Sequence, residues 1–487
     1  MGNSLSPHTT SIHVLNNDSL LNIFDLYHPL FLDELAYDLV YVQAGLWGRG
    51  RWWYELVHIC QRWRNLILGS ASYLRLSLVC TNGVPVANML AHSPSLPLTV
   101  EYISNNDITA EDEEGIMLAL GHQDRVRELC IVFPVWNLQK LFVAIDEEFP
   151  ILEYLILVPS VFESTVLMLP ETLQPPRLRH LILMGFAYPI QPRLHPTAVG
   201  LVTLFLTIIH PSAYFHLSVL LQWISFMPHL ETLAVYFSFF IPDLDMEGAE
   251  RQLTHMPITT PITLPNLRML ALNCISAYLE VFICQITTPR LEHLIIQFFK
   301  QLTFSIPHLM QFLNTTEGLR FDSVELEFSD KRVDVQSHLH ESGETAFSIG
   351  IHCWGLDWQL SSVAQVSNEL NQVFSTVDYL TLEHKAHSQS SEERNEADCS
   401  ELRKLLKSFG NVKTLLVEDG LVEEVSRCLQ LEDGEDPLEL FPKLQELTYF
   451  RNGAGGDAFM SFIDARENAG HPLTLVRRSP SPSPVSL

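Results

Sequence analysis

Basic residues are scarce: 30 Lys and Arg stand against 57 Asp and Glu, for a net charge of −27 over 487 residues. That balance excludes a nucleic-acid binder built on clustered cations, since phosphate contacts need a basic face. The acidic excess gathers in "EDEE" (Glu111–Glu114), "SEERNEAD" and "LEDGEDPLE", where it reads as solvated surface. No two of the eight cysteines share a Cys-x-x-Cys spacing, and most, such as Cys60, Cys130, Cys274 and Cys284, sit in apolar contexts. The pattern is that of buried thiols in a reduced compartment; it provides neither a disulfide framework nor a zinc site. No apolar run is long enough to span a bilayer; the most apolar, "AVGLVTLFLTII", is too short. The opening "MGNSLSPHTTS" has neither a positive start nor an apolar core, so no signal peptide is expected and the location is intracellular, cytoplasm or nucleus. Met-Gly followed by Ser6 does fit the loose myristoylation pattern at Gly2.

Sites for chemistry are missing too. "NGAGGD" (Asn452–Asp457) has glycines but lacks the G-K-[ST] ending of a phosphate loop, and reads as a turn. His338, His340, His384 and His387 lie in polar segments without acidic or Cys partners at metal spacing. There is no G-x-S-x-G elbow. No catalytic residue, metal or cofactor is assigned, and the chain reads as a non-enzyme. A hydrolase with dispersed catalytic residues is a distant rival, which a cleft holding a His–carboxylate–nucleophile cluster would revive.

What is present is a repeated phrase. It reads "VRELCI" at Val126, "LEYLIL" at Leu152, "LRHLIL" at Leu178, "LVTLFL" at Leu201, "LETLAV" at Leu230, "LRMLAL" at Leu267 and "LEHLII" at Leu291. It continues as "FDSVEL" at Phe321, "AFSIGI" at Ala346, "VDYLTL" at Val377, "VKTLLV" at Val412 and "LQELTY" at Leu444, with steps of about 23 to 37 residues. The closing L-x-L alternation predicts a short strand in each copy. Helical spacing lies between copies: Leu138, Leu141, Phe142 and Ile145; Leu217, Leu220, Leu221 and Ile224; Val363, Val366, Leu370 and Val373; Leu402, Leu405, Leu406 and Phe409. Strand–helix–strand crossovers return each strand in the same direction, so a parallel sheet is expected. The fold class is α/β: a curved solenoid over residues 79–475, strands on the concave face and helices outside.

This resembles the leucine-rich repeat. The regular repeat has Asn after L-x-x-L-x-L-x-x; here that position holds Pro134, Ser160, Phe186, Ile209, Ser238, Ile275, Phe299 and Ser329, with Asn452 in the last copy. Irregular repeat length and curvature are therefore expected. If the concave face binds a protein substrate, the variable residues of each phrase line it, with Arg179, His180, Glu231, Arg268, Glu292 and His293 as candidates. "KAHSQSSEERNEAD" (Lys385–Asp398) reads as a solvated loop, and residues 476–487 as a flexible Ser-Pro tail.

Upstream, residues 12–78 read as a short helical module with an insertion at 28–50, after a flexible stretch at 1–11. Asn17 or Asp18 can cap a first helix whose apolar positions are Leu20, Leu21, Phe24 and Leu26 or Tyr27. A second helix is expected from Trp52 to Leu68, with Leu56, Ile59, Cys60, Trp63, Leu66 and Ile67 on one face. So many aromatics exceed what some fifty residues can bury alone, so a partner or the first repeat must cover part of them. "LNNDSLLNIF" (Leu15–Phe24) and "HICQRWRNLI" (His58–Ile67) resemble the two motifs of an F-box, and the whole is similar to a large group of fungal F-box proteins with irregular leucine-rich repeats. The resemblance departs at Asn16, where the family has Pro, and in the length of the insertion. It implies a substrate receptor of a cullin–RING ubiquitin ligase that docks a Skp-type adaptor through Leu15, Leu20, Leu21, Phe24, Cys60 and Trp63. Each of these six can equally fill the module's own core. The rival reading is a repeat scaffold whose F-box-like end serves only as a cap.

Overall fold

The protein is described by a computed structural model covering residues 15–27, 52–106, 108–145, 148–161, 167–170, 173, 175–187, 199–209, 217–237, 261–299, 301, 303–340, 343–385, 399–430, 438–450 and 458–478. Gly2, the insertion at 28–50, the loop at 386–398 with His387, the glycine run Asn452–Asp457 and the Ser-Pro residues from 479 onward lie outside the described residues. The chain divides into two compact units, residues 1–200 and 201–487.

The first unit opens with helices α1 (Asn17–Leu26), α2 (Trp52–Val57) and α3 (Gln61–Gly69). Then come β1 (Leu78–Thr81), α4 (Val86–His92), β2 (Leu98–Ile103), α5 (Ala110–Leu120), β3 (Val126–Phe133), α6 (Val135–Ile145) and β4 (Tyr154–Pro159). β5 (Leu167–Met168), β6 (His180–Met184) and β7 (Phe186–Ala187) complete it. β1, β2, β3, β4 and β6 form one parallel sheet in chain order, and β5 and β7 pair separately. α5 packs on β1 and β2 and α6 on β3, so one sheet face carries the helices. Alternate strand residues, Leu155 and Leu157 or Leu181 and Leu183, are buried toward that layer. Each such side chain contributes roughly 1.5–3 kcal/mol of burial. Glu111, Asp112 and Glu113 of the "EDEE" run occupy the first turn of α5, where the helix dipole favours acids. There Thr109 caps the Asp112 N–H at 3.1 Å, and Asp112 in turn accepts from the Gly83 N–H at 2.8 Å.

The second unit holds β8 (Thr203–Ile208), α7 (Leu217–Ile224), β9 (Thr232–Phe237), β10 (Ile262–Thr263), β11 (Met269–Cys274), α8 (Ser276–Ile283), β12 (Ile286–Thr287), β13 (His293–Phe298) and α9 (Pro307–Thr315). β14 (Ser323–Ser329), β15 (Arg332–His338), β16 (Thr345–His352), α10 (Leu356–Glu369), α11 (Asn371–Phe374) and β17 (Tyr379–Lys385) follow. It closes with α12 (Cys399–Lys407), β18 (Thr414–Val417), α13 (Val422–Cys428), β19 (Glu446–Phe450), α14 (Met460–Asn468) and β20 (Thr474–Arg478). All twelve repeated phrases lie on strands, and the four expected helical stripes lie on α6, α7, α10–α11 and α12 or directly beside them. Neighbouring helices also support one another: Glu280 of α8 accepts the His308 and Leu309 backbone N–H groups of α9 at 2.8 and 2.9 Å, capping that helix from outside.

The expectation of a wholly parallel ladder is corrected here. The order in this unit is β8-β9-β11-β13-β16-β15-β14-β17-β18-β19-β20, and β15 runs antiparallel to both neighbours. The cause is local. "SVELEFS" and "RVDVQSH" are joined by Asp330 and Lys331 alone, too short a link for a helical crossover, so the chain turns back as a hairpin. "AFSIGI" then pairs with β13, displacing "FDSVEL" outward by two strands. At the C-terminal end, 476–478, read as tail, pair with β19 as part of β20.

Candidate functional site

The helical module is built around two aromatic rings. Phe24 and Trp63 meet edge to face at 4.8 Å, and with Leu20 and Ile67 they are buried. Arg62 ties α1 to α3, donating through Nη2 to the Leu15 carbonyl at 2.6 Å and to Asn17 Oδ1 at 2.9 Å. The cap is Asn16, not Asn17 or Asp18: its Oδ1 accepts the Ser19 N–H at 2.8 Å. Asn supplies by side-chain bonding the helix start that Pro would supply by a fixed φ.

The single helix expected from Trp52 to Leu68 is two. Cys60 takes an extended conformation and its sulfur accepts the Trp63 N–H at 3.5 Å, starting α3 afresh. The Arg64 guanidinium donates to the Val57 carbonyl at 3.0 Å and so satisfies the end of α2. The break turns Ile59 outward. Of the six candidate adaptor contacts, Leu20, Phe24 and Trp63 therefore lie in the module's core, while Leu15, Leu21 and Cys60 are half-buried. The large apolar side chains most presented to solvent include others, Leu26 (85% exposed), Tyr27 (65%) and Ile59 (59%), with Tyr73 and Ile23 less so. Helical periodicity groups apolar residues on one face but cannot say whether a neighbouring helix already covers that face. On its other side the module holds the repeats: Trp53 Nε1 donates to the Ser77 carbonyl at 3.2 Å, next to edge strand β1.

The candidate substrate residues fall in register at strand starts. In the first unit Glu128, Tyr154 and His180 align across β3, β4 and β6 on the face away from the helices. Tyr154 and His180 stack at 4.2 Å. Burial, with Arg179 beside it, holds the His180 imidazole down at about 4, and burial raises the Glu128 carboxyl. Arg179 itself is exposed. In the second unit Thr232, Met269 and His293 align across β9, β11 and β13. Glu231 and Arg268 are exposed just ahead of their strands. Arg268 and Glu292 form an ion pair at 2.6 Å, and His293 Nδ1 lies 2.8 Å from the Thr345 carbonyl. Both partners of that pair are well exposed, so it contributes little to stability.

A group not singled out in the sequence lies on β14 and β17. Carboxylate oxygens of Glu325, Glu327 and Glu383 all come within 4.8 Å of one another. Lys385 Nζ reaches Glu327 at 3.0 Å and Glu383 at 3.2 Å, and Arg332 Nε holds Asp334 at 2.5 Å along β15. Burial and the hydrogen bond with Glu383 push the Glu325 carboxyl up to about 7. The signal was available: in "SVELEFS" the core residues Val324, Leu326 and Phe328 alternate with Glu325 and Glu327, which places both acids on the open face. A group whose folded pKa is raised contributes stability that is present below its unfolded value and lost as pH rises through the folded one. The second unit is thus expected to lose stability between pH 4.5 and 7, and Glu325→Gln, which stays neutral, to flatten that slope in melting curves recorded across the range.

No protein-family model matches the chain, and no curated protein matches it. Among solved structures, the leucine-rich repeat-containing protein LegL7 from Legionella pneumophila is similar at 12% identity, with 81% of this chain and 98% of that chain covered and a TM-score of 0.28. Among the described residues no helix is long and apolar enough to cross a membrane.

Proposed function

We propose that the protein is the substrate-recognition subunit of a cullin–RING ubiquitin ligase of the SCF type, its helical module docking a Skp-type adaptor and its repeats holding a protein substrate inside the cell. The reading is carried by the module's surface. A closed core of Leu20, Phe24, Trp63 and Ile67 still leaves Leu26, Tyr27 and Ile59 in solvent, more exposed apolar surface than so small a body has reason to display. The F-box motifs supply the partner's identity. In this role the chain makes and breaks no bonds; it contributes proximity.

The test is co-expression with a Skp-type adaptor. Wild type is expected to co-purify stoichiometrically. Leu26→Asp with Ile59→Asp, both at exposed positions, is expected to weaken capture at least about tenfold with an unchanged melting curve. Capture unaffected by both changes would remove these residues from the interface. The cap reading has its own support in the Trp53–Ser77 bond beside β1. It predicts a folded protein that ignores the adaptor.

A further inference from the structure

We propose that Trp354, Asp357 and Trp358 form a docking patch for a lysine- or arginine-bearing segment of a partner protein. The proposal rests on reading the repeats as a protein-binding body, and names the chemistry of what they hold. The patch lies where the β14–β15 hairpin meets the start of α10. Gln359 Nε2 donates to the Ser329 carbonyl at 2.6 Å and to the Cys353 carbonyl at 3.1 Å, and the Cys353 N–H donates to the Lys331 carbonyl at 3.0 Å. Hairpin tip and helix start are therefore fixed to one another.

On this frame Trp354 and Trp358 are 56% and 61% exposed. Tryptophan is the side chain that gains most from a partner and is costly to leave in water. The ring of Trp354 already accepts a cation: Lys331 Nζ lies 5.3 Å from its centroid. Between the two tryptophans in sequence, Asp357 has a carboxyl oxygen shielded from solvent and without a hydrogen-bond partner. A guanidinium or ammonium group answers both features, over an exposed tryptophan ring face and in the field of the Asp357 carboxylate. An apolar segment would leave the Asp357 charge uncompensated, and an acidic one would meet like charge.

The strands leading to the tip reinforce this choice. Glu325, Glu327, Glu383 and Asp334 face two cations, Lys385 and Arg332. Glu325, whose carboxyl is pushed up to about 7, is left out of the balance, and Lys331, Asp330 and Asp357 are counted in. Five acids (Glu327, Asp330, Asp334, Asp357 and Glu383) then stand against three cations (Lys331, Arg332 and Lys385), a net negative charge that favours the approach of a basic segment.

The experiment titrates the full-length chain into a labelled synthetic peptide of repeating Lys-Ser-Arg-Gly, followed by fluorescence anisotropy at physiological ionic strength, with a Glu-Ser-Asp-Gly peptide as control. Two variants are compared, Trp354→Ala/Trp358→Ala and Asp357→Asn, each checked by circular dichroism and by sedimentation. The expected result is binding of the basic peptide alone, weakened about tenfold or more by the tryptophan changes and several-fold by Asp357→Asn. Equal affinity in wild type and both variants would overturn the proposal, showing attraction to the acidic chain at large. So would no binding by wild type, or self-association abolished by the tryptophan changes, which would make the patch an interface between copies. The assay needs no adaptor, so its failure is separate from failure of adaptor docking.

Discussion

Replacing Gly318 by Ala is expected to lower the stability of the second unit by about 3 kcal/mol or more, at the upper end of what overpacking costs. The residue sits in the single 3-10 turn Glu317–Leu319 between α9 and β14. A Cβ built there would stand 2.2 Å from the Leu291 carbonyl oxygen and 3.2 Å from its carbon, both backbone atoms. A flexible side chain could swing aside. Main chain just ahead of β13 cannot, because the neighbouring Glu292 and His293 N–H groups are bonded to the Arg268 carbonyl. Ala must therefore push the turn off the preceding repeat. Thermal unfolding of the variant should begin several degrees below wild type. An unchanged melting temperature would mean the turn and β13 are not in contact as described.

Trp63→Ala should be comparably costly but confined to the helical module. Removing a buried tryptophan costs about 3–5 kcal/mol, transfer and cavity together. Here it also leaves the buried Phe24 without its edge-to-face partner. Beyond its buried Leu20 and Phe24, α1 is held only loosely by polar bonds from Arg62 and Tyr73, so it is expected to detach. Hydrogen exchange should show α1 and α3 losing protection while β3 and β4 keep theirs. Loss of adaptor capture in this variant would report unfolding and say nothing of the interface. Leu26 and Ile59 are therefore the informative positions.

The strands were legible because L-x-L alternation is a direct imprint of a sheet with one covered face, and every copy of the phrase lies on one. β15 was missed because "RVDVQSH" lacks the leucine phrase, although its alternation of Val333 and Val335 with Arg332, Asp334 and Gln336 is as regular. The reordered sheet was hidden for a related reason: a parallel ladder follows from helical crossovers, and the two residues between β14 and β15 contain none. In the helical module, spacing grouped the right apolar residues. It could not show that α1 and α3 cover each other, nor that Cys60 restarts the helix and turns Ile59 out. Glu325 and Glu327 were legible as open-face residues; their closeness to Glu383 depends on β14 pairing with β17, which no local pattern reveals.

The most direct measurement is calorimetric titration of the purified chain with a purified Skp-type adaptor. Docking through the helical module predicts a one-to-one complex with micromolar or tighter affinity, lost in the Leu26→Asp/Ile59→Asp variant. A folded wild-type chain that yields no binding heat at several temperatures, and no complex on gel filtration, would contradict it and leave the module as the cap of a repeat scaffold.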